Sequence, residues 1–408
     1  MMRTYTIGCC MILLCMQAQA QKGVNSLYSA YGIGDLEEKD YSRNFGTGSA
    51  GIARPSGNFL NELNPASYGR IPMETFFFEA SVAAKSITYN SSTVNQSAGD
   101  ISFKRFALGF KVNPRWGLSF GLMPYSRVDF KLINNTSIAG TGAEVQNAVE
   151  GSGGINRLYF SNGVKLMKNF YAGLSSALLF GPITITDSLG NNEIRSEERS
   201  FYRAFNFTAG IQYTGTAGDW VIGAGATYRW QTRLQSEAEM AIRDENDNVL
   251  FDGGDSKGSY YLPPQIGFGL SMNNEHLTLL ADYRRQQWED VNNRTKTDFR
   301  YVNSQRFAGG MEYSFYKYYF DKRIEHLSVQ AGLSYHTGYI QVKGEKIRDF
   351  GLSVGASLPS RTGHLRYYLG LEGGQRGTAG SGLITENYFN VVLHLGLKDN
   401  WFFKRKEL

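Results

Sequence analysis

Apolar residues recur at every second position in a series of segments that extends over most of the chain. Successive side chains of a β-strand point to opposite faces, so this period indicates strands with one apolar and one polar face. In residues 201–214, for example, Phe205, Phe207 and Ile211 alternate with polar residues such as Gln212. A chain with this pattern separates an apolar environment from a polar one across a single layer of strands.

Fourteen segments show the pattern, and each has about the length that a tilted strand needs to cross a bilayer. They are residues 74–85, 100–113, 115–133, 155–168, 170–187, 199–215, 219–240, 260–273, 276–288, 304–316, 325–339, 345–358, 363–375 and 386–398. An even number is typical of bacterial outer-membrane barrels, whose strands are all antiparallel. The sequence therefore predicts an all-β fold, a transmembrane antiparallel β-barrel of about fourteen strands over residues 74–398.

The connections between these segments alternate in length. Short connections follow the even-numbered segments at 113–115, 168–169, 216–218 and 273–275, and long ones follow the odd-numbered segments at 86–99, 134–154, 188–198, 241–259 and 289–303. Membrane barrels have short periplasmic turns and longer external loops. A soluble β-sandwich, the alternative, has both ends in water and no reason for this alternation.

Composition excludes three other classes of protein. The hydrophobic fraction of 42% is too high for a disordered chain, and no apolar run reaches the 18 residues of a membrane-spanning helix. The 42 Lys and Arg residues only slightly outnumber the 37 Asp and Glu residues. This balance gives no indication of nucleic acid as a partner.

The first 20 residues have the features of a signal peptide: Arg3, an apolar stretch, and a small-x-small cleavage site that ends at Ala20. A lipoprotein anchored through Cys15 is less favoured, because the bulky Leu14 precedes that cysteine. All three cysteines lie within these residues, so we expect a mature protein without thiols. The expected location is the cell outer membrane, where membrane lipid and lipopolysaccharide surround the barrel.

Residues 21–73 do not alternate, and we expect them to fold inside the lumen as a plug, because a barrel of fourteen strands is too wide for its own side chains to fill. They include the runs 31–35 (YGIGD), 46–53 (GTGSAGIA) and 63–68 (LNPASY). This pattern resembles the N-terminal hatch of the FadL/TodX family of outer-membrane transporters, in the form common in Bacteroidetes. The resemblance implies passage of hydrophobic small molecules through a fourteen-stranded barrel that the hatch closes. The matching motif positions are Asn64, Pro65 and Ala66.

The polar face of the strands predicts the residues that line the lumen: Lys111, Arg229, Asp282, Arg284, Arg366, Glu372 and His394. We interpret them as a paired interior network; the alternative is that some contact cargo. The apolar candidates for ligand contact are fewer: Phe59, Leu60, Leu63, Val392 and Met123. A polar lumen is a departure from the FadL/TodX pattern, which has an apolar interior site.

No catalytic motif, cofactor site or metal site is predicted. Residues 46–51 satisfy GxGxxG but follow no strand, and the five histidines have no metal-ligand spacing. The leading hypothesis is passive uptake of hydrophobic small molecules, fatty-acid-like or aromatic, gated by the hatch. The alternative is a non-transporting subunit of a larger outer-membrane assembly, whose partners are other outer-membrane proteins. The basic tail at 399–408, predicted to be periplasmic, is one reason to keep this alternative.

Overall fold

The computed structural model describes residues 26–91, 95–137, 144–190, 194–291, 299–319, 322–360, 363–378 and 383–400. The predicted signal peptide and residues 401–408 of the basic tail lie outside these ranges. Among the described residues, no helix combines the length and the apolar content that a membrane-spanning helix requires.

Strands account for most of the described chain. In chain order they are β1 (Asp35–Leu36), β2 (Thr75–Asn90), β3 (Asn95–Asn113), β4 (Trp116–Ser137), β5 (Glu144–Lys165), β6 (Phe170–Leu189), β7 (Ile194–Ala217), β8 (Trp220–Arg229), β9 (Thr232–Asp244), β10 (Val249–Leu262), β11 (Gln265–Asn273), β12 (Leu277–Gln286), β13 (Phe299–Tyr301), β14 (Ser304–Tyr319), β15 (Lys322–Val342), β16 (Glu345–Pro359), β17 (Leu365–Arg376) and β18 (Thr385–Asn400). Four short 3-10 helices complete the list: η1 (Leu27–Ala30), η2 (Phe45–Thr47), η3 (Pro65–Arg70) and η4 (Trp288–Asp290).

These elements form a closed ring of fourteen antiparallel strands, as predicted. β8 and β9 are two halves of one long strand, since both pair with β7. β10 and β11 are likewise one strand, interrupted at Pro263 and Pro264, which cannot donate backbone hydrogen bonds to the ladder. β1 and β13 are short additions to the ring. β18 closes the ring by pairing with β2 from Thr385 opposite Asn90 to Asn400 opposite Thr75.

The two faces of the strands differ as the alternation predicts. On β7, Phe205 is 63% exposed on the outer face, whereas the neighbouring Asn206 is buried on the inner face. The apolar outer face meets lipid, because burying apolar side chains against hydrocarbon avoids their exposure to water. The polar inner face lines the lumen.

The structure corrects the prediction of long loops. Most residues in 86–99, 134–154, 188–198 and 241–259 belong to strands that continue well beyond the bilayer as β-hairpins. β7, for example, has 24 residues, where about ten suffice to cross a membrane. Beyond the bilayer the outer face of a strand meets water in place of lipid, so the apolar-outward alternation ends although the backbone pairing continues.

The tight turns identify the periplasmic end of the barrel. β3–β4, β5–β6, β7–β8 and β11–β12 are joined at one end by the short connections predicted from the sequence. The first residue of β2 and the last residue of β18 lie at the same end. Short turns are periplasmic in barrels of this class, so the long hairpins extend from the external side.

Candidate functional site: the luminal segment

Residues 26–73, here called the luminal segment, lie inside the barrel. Helix η2 packs against β14, β15, β16 and β17, and helix η3 packs against β3, β4, β5, β6 and β7. These two sets of strands come from different parts of the ring, and the segment contacts their inward-facing residues. The segment therefore crosses the lumen from one wall to the other.

Asn64 and Pro65 start helix η3, and local chemistry explains why the helix begins there. The Asn64 side-chain oxygen accepts a hydrogen bond from the Ala66 backbone N–H at 3.0 Å, which caps the helix, and Pro65 occupies its first position. The Asn64 amide nitrogen donates to Ile52 O at 3.0 Å and to Ile211 O on β7 at 2.9 Å. One buried asparagine thus joins two parts of the segment to the barrel wall.

Four of the seven predicted lumen residues bind the luminal segment directly. The Asp282 carboxylate accepts hydrogen bonds from the backbone N–H groups of Gly51 and Ile52, at 2.7 and 2.9 Å. The other three contacts are Lys111 to Gly69 O at 2.5 Å, Arg284 to Glu38 O at 2.7 Å, and Glu372 to Lys39 at 2.7 Å. These side chains hold the segment in place. Such contacts are those of a paired interior network.

The remaining three predicted lumen residues belong to the same charged interior. Arg366 pairs with Glu325 at 3.1 Å, and Glu325 in turn binds Arg43 of the segment at 2.6 Å. His394 lies 3.9 Å from the buried Glu79 carboxylate. Arg229 lies among the charges around Glu38.

Glu312 on β14 is the central luminal carboxylate, and the sequence interpretation missed it. Its Oε1 atom lies 2.8 Å from Arg43 Nη2 and 2.6 Å from Arg54 Nη2. All three side chains are almost completely buried. Gly310, Glu312 and Ser314 share the inward phase of β14, so the alternation contained the signal that could have identified this residue.

Two further carboxylates of the segment, Asp35 and Glu37, are also paired with wall cations. Burial raises the pKa of Asp35, but the Arg376 guanidinium at 2.7 Å outweighs burial and lowers it overall. Burial opposes ionisation of Glu37 in the same way, and contact with the Lys104 ammonium lowers its pKa. These carboxylates stay ionised and bound at neutral pH.

Acidification should loosen this part of the segment. A carboxyl whose pKa is lower in the folded state contributes stability above its usual pKa of about 4, and this contribution is lost as the pH falls through the lowered value. We expect backbone hydrogen exchange at 35–39, corrected for the intrinsic pH dependence, to be faster at about pH 3 than at pH 6.5. Residues 64–67, held by hydrogen bonds between neutral groups of Asn64 and Ser67, are the control. An equal change in both stretches would contradict the role of the carboxylates.

The predicted apolar ligand contacts do not form one site. Leu60 packs with Tyr68 and Phe77, and Met123 adjoins that cluster. Val392 lies in a separate cluster with Phe45 and Tyr368. The Phe59 ring faces the Arg54 guanidinium, and Leu63 is partly buried. Leu60 and Val392 thus pack the luminal segment onto the wall, because each is fully covered by protein.

An apolar cluster fills the external half of the lumen, and the sequence did not reveal it. This mouth cluster joins Tyr28 and Ile33 of the luminal segment to inward-facing residues of many strand extensions. Its other buried members are Val128, Phe130, Ile155, Leu179, Ile183, Ala204, Leu234, Leu262, Trp288, Val291, Tyr301, Tyr339, Ile340, Val342, Ile347 and Leu383. Most of these residues lie inside segments predicted to be strands, and Val291 and Tyr301 lie in the long loop predicted at 289–303. The mouth cluster closes the described part of the barrel on the external side.

Four cavities inside the described part of the barrel are small. Two that are lined mainly by charged and polar groups near Arg43 have volumes of about 130 Å³ each, and one beside Glu37 has about 40 Å³. A fourth, beside Tyr339, has about 30 Å³. Sites for small organic ligands measure roughly 300–1,000 Å³. An apolar groove of about 630 Å³ does exist, but it lies on the lipid-facing surface between Tyr213, Phe268 and Phe307.

The architecture defines a class by its fold, the closed antiparallel β-barrels of fourteen strands, which includes FadL-like barrels. The chain is similar to the toluene transporter TbuX of Ralstonia pickettii (TM-score 0.58, 14% identity, 87% of this chain and 97% of that one) and to the Pseudomonas putida toluene transporter TodX (0.57, 14%, 88% and 98%). It is also similar to a Pseudomonas aeruginosa FadL homologue (0.61, 12%, 90% and 100%). At these identities the likeness is one of fold.

The sequence family is a different one. The family model of BamG matches residues 1–407, and the chain belongs to the BamG family. No protein with a curated description matches the chain. The resemblance to the FadL/TodX family thus holds for the fold, whereas BamG is a distinct family.

Proposed function

We propose that this chain is a non-transporting barrel of the bacterial outer membrane that serves as a subunit of a larger outer-membrane protein assembly. The observation that carries the proposal is the filled lumen. The luminal segment is bound to the wall through buried ion pairs and backbone hydrogen bonds, such as Arg43 and Arg54 to Glu312 and the N–H groups of Gly51 and Ile52 to Asp282. A barrel stabilised in this way has its surface, not its lumen, available for function.

The energetics of the lumen support this proposal. Removing one partner of a buried ion pair costs about 3–5 kcal/mol, and Glu312 alone binds two cations of the luminal segment. An apolar solute would have to displace the luminal segment and also separate the mouth cluster above it. Neither step is compensated by contacts with a solute that has no charge.

Purification in mild detergent tests the proposal. We expect the chain to elute with other outer-membrane proteins in fixed stoichiometry, measured by native mass spectrometry, with no apolar small molecule bound. In planar bilayers, the reconstituted chain should show no ion conductance above that of protein-free membranes. A monodisperse barrel free of partners would overturn the proposal, and a bound apolar molecule in such a barrel would favour transport.

Passive uptake of hydrophobic small molecules, gated by the luminal segment, is the second candidate function. The fold likeness to TodX and TbuX, both described as toluene transporters, favours it. Replacing Asn64 by alanine removes its cap of η3 and its bonds to Ile52 and Ile211, and so loosens the proposed gate. If the chain transports, Asn64→Ala should change the rate of toluene uptake. The barrel should stay folded, which the heat-modifiable shift in its mobility on gels reports. Asn206, also buried but bonded to Thr232 of the barrel wall at 2.8 Å, provides an Asn206→Ala control.

A further inference from the structure

Beyond the membrane, strand β10 forms an open edge of the sheet. Among the described residues, β9 is the only strand that pairs with the stretch from Val249 to Ser259. Residues 249–259 are exposed without interruption, eleven in a row. The backbone groups of residues 249–259 on the other edge of β10 therefore have no strand beside them within the part of the chain that the structure describes. An unpaired edge of this kind is a template for a further strand.

The open edge lies far from the lipid. On β8 the outward residues are apolar up to Tyr228, which packs edge-to-face with Trp230 in the manner of an interfacial girdle. From Arg233 to Glu239 the outward residues of β9 are polar. Ile242 is opposite Phe251 of β10, so the tip of the hairpin lies roughly 40 Å along the strand beyond Trp230, at about 3.3 Å per residue.

Three consecutive apolar side chains are exposed at this tip. Val249, Leu250 and Phe251 are 53%, 59% and 55% exposed. Ile194 on β7, opposite Asp244 of β9, is exposed close to them. Lipid covers the apolar side chains of the barrel itself, but it cannot reach these residues. A contiguous apolar patch in water marks an interaction site more often than chance exposure does.

The hairpin that carries the patch is acidic. Residues 231–260 contain seven acidic side chains and three basic ones. Lys257 pairs with Glu237 at 3.6 Å, and Arg195 of β7 pairs with Asp247, so the remaining carboxylates dominate the surface. Asp252 and Asp255 lie on the open edge strand itself. The complementary partner is a segment that combines apolar side chains with Lys or Arg.

We infer that the outer edge of β10 is a docking site for an extended, basic and apolar segment of a partner protein on the external side of the membrane. The partner adds a strand to β10 through backbone hydrogen bonds, and its apolar side chains cover the tip residues. Its cations pair with the hairpin carboxylates. This inference rests on the proposed function, because it assigns the surface through which a subunit binds its assembly.

Site-specific photocrosslinking in intact outer membranes tests the inference. A photoreactive benzoylphenylalanine replaces Ser256 in the middle of the open edge, and a second chain carries it at Lys131, which is exposed on β4. We expect one protein adduct at 256 and none at 131. Mass spectrometry of the adduct should map the contact to a short partner segment that contains Lys or Arg, and about 0.5 M salt should reduce the yield.

Two double variants distinguish loss of the docking site from a general effect on the barrel. Leu250→Glu with Phe251→Glu should reduce the adduct at 256 at least about tenfold, because such tip residues are the expected energetic centre of a contact. Leu132→Glu with Ile133→Glu, also exposed apolar neighbours on β4 at 38% and 53%, is the matched control and should leave the yield unchanged. The heat-modifiable shift in mobility on gels verifies that both double variants contain a folded barrel.

Each contrary outcome has a distinct meaning. An adduct between two copies of this chain, an adduct only with lipopolysaccharide, no adduct at 256, or a yield that Leu250→Glu with Phe251→Glu leaves unchanged would each overturn the docking site. If the wild-type chain still purifies with stoichiometric partners, the proposed function survives that failure. If the wild-type chain purifies alone, both the proposed function and the inference fail.

Discussion

Replacing Glu312 by alanine should destabilise the protein by about 3–5 kcal/mol, the typical cost of leaving buried charge without its partner. Glu312 is 3% exposed, and its two oxygens bind the guanidinium groups of Arg43 and Arg54. Arg43 retains Glu325, whereas Arg54 loses the only carboxylate that lies within ion-pair distance among the described residues. The luminal segment should therefore loosen around Arg54.

Urea unfolding in lipid vesicles, followed by tryptophan fluorescence, measures the loss of stability, and hydrogen exchange at 43–54 locates it. Glu312→Gln should have a smaller effect, since it keeps the shape and one acceptor but removes the charge. Glu237→Ala is the control, because the Glu237–Lys257 pair is exposed to water and contributes at most about 1 kcal/mol. If Glu312→Ala and Glu237→Ala behave alike, the luminal segment is not held by its ion pairs.

Replacing Gly332 by valine should prevent the luminal segment from packing against β15. A Cβ atom at Gly332 would overlap the backbone N of Gly48 and would lie 2.6 Å from the Thr47 Cα atom. Both clashes are with backbone, which cannot rotate away as a flexible side chain can. Gly48 itself has a φ of 69°, a left-handed conformation that glycine adopts without strain, so the turn has little freedom to adjust.

The expected destabilisation by Gly332→Val is about 1–3 kcal/mol or more, as for other overpacked interiors. Hydrogen exchange should increase at 45–50, next to the substituted wall. Gly373→Val on β17 is the matched control, because a Cβ atom there meets nothing within 4 Å. Equal melting temperatures for the two variants would show that the segment does not lie against this glycine in the membrane.

The sequence predicted the barrel because the period of a strand is a local property. Each of the fourteen segments places its own apolar side chains outward, as Phe205 and Asn206 show, and no distant contact is needed to recognise this. The inward phase also identified Asp282 and Glu372 as lumen residues. Helix η3 was foreseeable in the same way, since Asn64 and Pro65 are neighbours that cap and start it.

Only the tertiary structure decided what fills the lumen. Arg43 and Glu312 are 269 residues apart, and Ser26 binds Glu386 across 360 residues, so neither pair leaves a periodic signal in the sequence. The mouth cluster joins residues as far apart as Tyr28 and Leu383. The open edge of β10 lies on a strand extension beyond the bilayer, where the outer face of a strand meets water in place of lipid. The alternation ends there because its cause, the contrast between lipid and lumen, ends with the membrane.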